Sequence, residues 1–153
     1  MSGSTSVIRH GIVHFLAKIQ RMRELMLPLV DEQGGDLVKY IGDDILAAFP
    51  TAEAAFQSAR AMMARVAETH AQARPDMQIQ VAIGIGWGPC LHVPQVDVWD
   101  VQANRAFKLG EDTAEAGDIL LTVEAAQQLA PRHTLEPYDV SVHSVMIAAF
   151  RAQ

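Results

Sequence analysis

Cysteine is nearly absent from this 153-residue chain. Cys90 stands alone, so no internal disulfide and no cysteine-rich zinc site can form. No apolar run approaches the ~18 residues that a membrane span requires. No leader-like segment opens the chain either, so the expected location is the cytoplasm. Basic residues are outnumbered, 12 Lys and Arg against 18 Asp and Glu, for a formal charge of −6. A generalist nucleic-acid binder needs a basic face, so no nucleic-acid partner is expected. A small anionic ligand stays compatible, because a local cluster of cations or a metal ion reverses the field. What is present is a globular balance of 50% apolar and 20% charged residues, which excludes a disordered chain or a coiled-coil rod. The length suits one domain over residues 1–153 with a full core.

Periodicity orders the elements. From about Thr5 to Gln33, Ile8, Ile12, Phe15, Ile19, Met22 and Met26 fall on one helical stripe. Ser4 or Thr5 is placed to cap its start, Pro28 to kink or end it, and Gly34-Gly35 to stop the remainder. Asp36–Ile41 and Ile45–Phe49 read as strands around a Gly42-Asp43-Asp44 turn. Pro50-Thr51 opens a second helix that ends before Arg74-Pro75. Gln78–Gly86 alternates as a half-buried strand, with Ile79, Val81, Ile83 and Ile85 on its apolar side, and Cys90–Val93 is placed to pair back against it. A helix over Asp97 to about Ala114, a strand at Asp118–Thr122, a short helix at Val123–Leu129 and two strands at His133–Val142 and Val145–Arg151 complete the order. This is an α+β pattern with a largely antiparallel sheet and helices on one face. It carries no chemistry by itself.

Three segments carry a specific resemblance. Lys39 to Phe49 (KYIGDDILAAF) resembles the strand–Gly-Asp–strand hairpin of the class III adenylate and guanylate cyclases. Val81 to Pro89 (VAIGIGWGP) is similar to that family's glycine-rich strand end. Asp97-Val98-Trp99, continuing through Asn104 and Lys108 to Gly117-Asp118-Ile119-Leu120, resembles its Asp-x-Trp-Gly-x-x-x-Asn helix and the strand that follows. The segments occur in the family's order, and the resemblance spans roughly Ser2 to Thr122. It implies a class III cyclase-like sheet, distantly related to ferredoxin-like folds. It also implies an enzyme, a phosphorus–oxygen lyase, that joins the ribose 3′-oxygen of a nucleoside triphosphate to its own α-phosphorus and expels pyrophosphate. Two divalent cations, Mg2+ or Mn2+, serve such chemistry, and hard cations take carboxylate oxygens.

The site residues follow from the resemblance. Asp43 matches the metal-binding aspartate of the hairpin; alone, Gly-Asp-Asp between strands is ordinary turn composition. Lys39 and Asp97 match the base-reading pair, and a lysine donor beside a carboxylate suits adenine, so the implied substrate is ATP and the implied product cyclic AMP. Taken alone, Lys39 reads as an edge lysine and Asp97 as a helix N-cap. Asn104 and Lys108, four residues apart on one helical face, match the ribose-orienting asparagine and a phosphate-facing arginine. Lysine keeps the charge without the bidentate fork. Asp100 stands where the family usually has glycine. Gly3, Ser4 and Thr5 resemble the second half of the loop whose amides hold the triphosphate. That alignment places the first metal aspartate, and the family's first strand, before Met1. Met-Ser-Gly-Ser-Thr-Ser taken alone reads as a cloning scar or a frayed terminus. The resemblance further implies a head-to-tail homodimer. The other reading is a catalytically silent cyclase-fold module that binds nucleotide or regulates.

Elsewhere the residues read as structural. His10 and His14 are spaced i, i+4 without a His-Glu-x-x-His frame, and the remaining histidines are scattered. Gly34-Gly35-Asp36 has the composition of the diguanylate cyclase signature but precedes the strand instead of forming the hairpin tip. Trp87 and Trp99 read as packing residues, and Cys90 as a small core residue.

Overall fold

Met22, Met26, Leu29 and Val30 recur at helical spacing, and burying that stripe is what makes Ile12–Asp31 a helix. The computed structural model describes residues 11–142 and 145–152. In chain order the elements are α1 (Ile12–Asp31), β1 (Asp36–Ile41), β2 (Asp44–Ala48), α2 (Ala52–His70), β3 (Ile83–Ile85), β4 (Leu91–Val93) and β5 (Asp97–Trp99). They continue with α3 (Val101–Lys108), β6 (Ile119–Thr122), α4 (Val123–Leu129), β7 (Leu135–Val142) and β8 (Val145–Ala152). The expected order of helices and strands is present with one change: Asp97–Trp99, expected to open a helix, is strand β5, and Leu91–Val93 pairs with it and not with the β3 segment. A cap from Ser4 or Thr5 lies outside the described residues. Pro28 does not end α1, which runs on to Asp31 because Leu29 and Val30 are buried and the Ser58 hydroxyl of α2 donates to the Leu29 carbonyl at 2.9 Å.

Three sheets form among the described residues. β1 and β2 make an antiparallel hairpin, β4 and β5 a second one, and β3-β6-β8-β7 a four-stranded sheet. Only the β3–β6 pair is parallel. The main core lies under the four-stranded sheet, where Phe56 and Ala59 of α2 and Leu129 of α4 meet Ile85 and Leu121. Each such large apolar side chain contributes roughly 1.5–3 kcal/mol by leaving water. A second cluster joins Met22 and Met26 of α1 to Val66 of α2 and to Ile79, with Ile45 of β2 packed against it.

α3 lies on the other face. A Cβ on Gly84 would fall 1.9 Å from the Ala106 carbonyl oxygen, and one on Gly86 would fall 2.5 Å from that of Gln102. The backbone of α3 therefore rests directly on β3, on the side opposite Ile83 and Ile85. Sequence alternation marks this face as the polar side of a half-buried strand, whereas a helix covers it. The strand is also shorter than its alternation implies. Its ladder to β6 involves Ile83, Gly84 and Ile85 alone, and Ile79 and Val81 pack instead on the α1–α2 side.

Two residues depart from their sequence reading. Cys90 is exposed ahead of β4, and Trp99 is 51% exposed on β5, because the β4–β5 hairpin stands out from the core. Trp87 packs against the main core as expected.

Candidate functional site

The tip of the β1–β2 hairpin is a two-residue turn of Gly42 and Asp43, closed by Ile41 opposite Asp44. Gly42 alone takes a positive φ, +62°, which is the glycine-first turn that matches strand twist. The turn holds Asp43 exposed at the tip, with Asp44 half-buried as the first residue of β2. Arg23 of α1 braces the tip by donating to the Gly42 carbonyl at 2.9 Å and covers the Tyr40 ring at 3.8 Å. The carboxyl of Asp44 is pushed above its ordinary range by burial and then by the charges of Asp43 and Glu111. Glu111, in the turn after α3, belongs to the same acidic corner. No sequence motif marks it, because its approach to Asp44 is made by the fold.

At the other end of the hairpin, β1 meets the β4–β5 hairpin. The Lys39 ammonium donates to Asp97 Oδ2 at 2.6 Å, and Asp97 Oδ1 accepts the Val98 amide at 2.8 Å. The Lys39 hydrogen bond, with the Val98 amide second, holds the Asp97 carboxyl below the usual carboxylate range. His92 of β4 lies 3.0 Å from Asp36 Oδ2, a second contact between the same two hairpins that sequence reasoning passed over. Asp97 is therefore a strand residue in an ion pair and not a helix cap. Asp100 caps α3, its Oδ2 accepting the Gln102 amide at 2.8 Å. Its φ of −170° is open to any residue, so a side chain is accommodated where glycine was expected.

Asn104 and Lys108 sit on the exposed side of α3, away from the face that carries Ala106 against β3. Lys108 lies 3.9 Å from Asp112. The fold thus brings Lys39 and Asp97 into contact. Among the described residues, no hydrogen bond or ion pair joins Asn104 or Lys108 to that pair or to Asp43. Gly3, Ser4 and Thr5 lie outside the described residues.

The donor set for a divalent cation is incomplete here. Carboxylates of the right chemistry gather at the hairpin tip, yet among the described residues no group of three His, Cys, Asp or Glu side chains converges on one point. The described residues of one chain do not by themselves form a full metal centre. No described helix is long and apolar enough to cross a membrane.

Comparison with known proteins places this geometry. A family model described as the adenylate and guanylate cyclase catalytic domain matches residues 2–146. A search of curated proteins finds no match. Among solved structures, an adenylate/guanylate cyclase/hydrolase from Silicibacter pomeroyi superposes with a TM-score of 0.75 at 25% identity, covering 90% of this chain and 85% of that one. The adenylyl cyclase CyaB from P. aeruginosa gives 0.72 at 15% identity, with coverage of 99% and 88%. The guanylate cyclase domain from Catenaria anguillulae in complex with GTP gives 0.75 at 16% identity, covering 100% and 91%. With the family model matching residues 2–146, nearly the whole length, the chain belongs to the adenylate and guanylate cyclase catalytic domain family.

Proposed function

We propose that this domain is of the adenylate-cyclase type, taking ATP to cyclic AMP and pyrophosphate as a homodimer. The observation that carries the reading is the contact of Lys39 with Asp97 at 2.6 Å. Similar folds include both adenylyl and guanylyl cyclases, so base choice must come from the residues themselves. Adenine offers ring N1 as an acceptor beside an exocyclic amine donor. An ammonium and a carboxylate already at hydrogen-bond distance present the complementary donor and acceptor, and the two satisfy each other until a base replaces that contact. On this reading Asn104 orients the ribose and Lys108 attracts the phosphates, with Gly3, Ser4 and Thr5 adding amide donors around the triphosphate.

Asp43 supplies one hard ligand for Mg2+ or Mn2+, the cations that suit this chemistry when bound. Dimerisation is supported by the apolar residues that the β4–β5 hairpin leaves exposed, Leu91, Val96 and Trp99 among them. The lack, among the described residues, of any converging group of three such ligands favours a second reading, a nucleotide-binding module with little turnover. Direct binding separates base choice from turnover. Displacement of a fluorescent ATP analogue should be stronger with ATP than with GTP, and exchanging Lys39→Glu together with Asp97→Cys should reverse that order. An unchanged ATP:GTP ratio in the double variant would refute the base-reading assignment.

A further inference from the structure

The β1–β2 and β4–β5 hairpins meet at Lys39 and Asp97, and little else holds them together. Among the described residues no backbone hydrogen bond links the two hairpins. None of Leu91–Trp99 belongs to an apolar cluster of the core, and Leu91, Val96 and Trp99 are more than half exposed. Two side-chain contacts make the join, Lys39 to Asp97 at 2.6 Å and His92 Nε2 to Asp36 Oδ2 at 3.0 Å. A break in strand alternation brings both to one face. Residues three apart in a regular strand point to opposite faces. Here Leu37 stands opposite Ala47 and Lys39 opposite Leu46, which leaves the buried Val38 as an extra residue. That bulge resets the alternation, so Asp36 and Lys39 share the face of β1 that meets β4–β5.

Nucleotide binding treats the two contacts differently. On the base-reading assignment, adenine replaces the contact of Lys39 with Asp97, so that join is lost as the base arrives. The contact of His92 with Asp36 takes no part in the exchange and is then the side-chain join that remains. Asp36 Oδ2 and His92 Nε2 are both closed to solvent and have no hydrogen-bond partner, so each relies on the other for compensation. A carboxylate accepts only, so the part of the imidazole is to present its Nε2–H. His92 stands opposite Val98 in the β4–β5 ladder, one residue from Asp97, so what it fixes on β4 is passed directly to Asp97.

We propose that His92, through its contact with Asp36, is a positioning residue for base choice, keeping Asp97 within reach of the base edge that Lys39 also meets. It acts on the nucleotide only through Asp97. The inference rests on the assignment of Lys39 and Asp97 as the base-reading pair.

The test measures the affinity of the full chain for ATP and for GTP, each by displacement of a fluorescent ATP analogue. His92→Ala and Asp36→Ala should each weaken ATP at least fivefold while GTP stays within twofold, so the ATP:GTP preference falls. The double variant should be no weaker than either single one. His92→Gln, whose side-chain amide offers a donor at similar reach, should restore ATP affinity to within twofold of the unaltered chain. Should an alanine variant not fold, Asp36→Glu, which keeps the carboxylate but moves it by one methylene, should lower the same preference. Equal weakening of ATP and GTP would overturn the proposal, because support of the hairpin alone does not distinguish bases. Unchanged affinities, or losses that add in the double variant, would overturn it too. Lys39→Ala separates this idea from the assignment beneath it. If that change leaves the ATP:GTP preference untouched, the base-reading assignment fails and the role of His92 with it. If it lowers the preference and His92→Ala does not, the role of His92 alone fails.

Discussion

Lys39 and Asp97 lie 58 positions apart in the chain, and their contact exists only because the β4–β5 hairpin leans on β1. Each side chain has an unremarkable local reading, an edge lysine and a capping aspartate. Asp43 likewise passes for turn composition until Gly42 and the flanking strands are seen together. Asp44 is the residue whose chemistry most clearly comes from its surroundings. Burial and the neighbouring Asp43 and Glu111 raise its pKa in the folded chain, so its ionised form destabilises the fold at neutral pH. The sign follows from linkage: the folded state holds this proton more tightly, and the penalty shrinks as pH falls through the raised folded pKa toward the unfolded value. Asp44→Asn should therefore raise the melting temperature by about 1–3 °C at pH 7, with the gain disappearing near pH 3. Thermal unfolding at the two pH values checks this. An equal gain at both would mean that packing, and not charge, limits the site.

Between elements, the tightest contact is α3 on β3. The glycine pattern Gly84-x-Gly86 was legible as a motif, but its physical role is close backbone approach. Gly84→Ala should push α3 off the strand and cost at least ~2 kcal/mol, measured by urea unfolding. The same change should weaken nucleotide binding, because Asn104 and Lys108 ride on α3. A second tie joins α2 to the segment after α4. His133 Nε2 lies 3.0 Å from both Glu53 carboxylate oxygens, and its ring meets Phe56 edge-on at 4.6 Å. His133→Ala should lower the melting temperature by about 2–4 °C, the loss of one buried ring contact and a charged hydrogen bond. A change under half a degree would show that the tie is incidental.

For the whole molecule, the described residues bring Lys39 and Asp97 together but gather no three His, Cys, Asp or Glu side chains that could hold a cation. The 153-residue chain should accordingly bind ATP while forming little or no cyclic AMP with Mg2+ or Mn2+. Nucleotide binding by fluorescence alongside product formation by chromatography separates the two. Robust turnover that Asp43→Ala abolishes would show that other side chains complete the cation site. The exposed Trp99 and Leu91 make the same point about assembly, since a projecting apolar hairpin is more stable when covered. Trp99→Lys should shift the chain toward monomer in sedimentation velocity, and an unchanged distribution would exclude this hairpin from the interface.

The sequence by itself determined the order and type of the elements, because apolar spacing at three to four residues or at two is a local property that survives into the fold. It determined the Gly42-Asp43 turn and the family, whose motifs are contiguous runs of residues. Several features were decided only by the tertiary structure. α3 covers the face of β3 that alternation marks as polar, since glycine is small in both a polar surface and a close helix contact. The partnership of Lys39 with Asp97, the approach of Glu111 to Asp44 and the exposure of Cys90 and Trp99 all depend on how separate elements meet. The pairing of β3 with β6 and of β4 with β5, among the described residues, is the clearest case. A strand's residues state that it is extended, but which of its two edges finds a partner is settled by the neighbours that the folded chain provides.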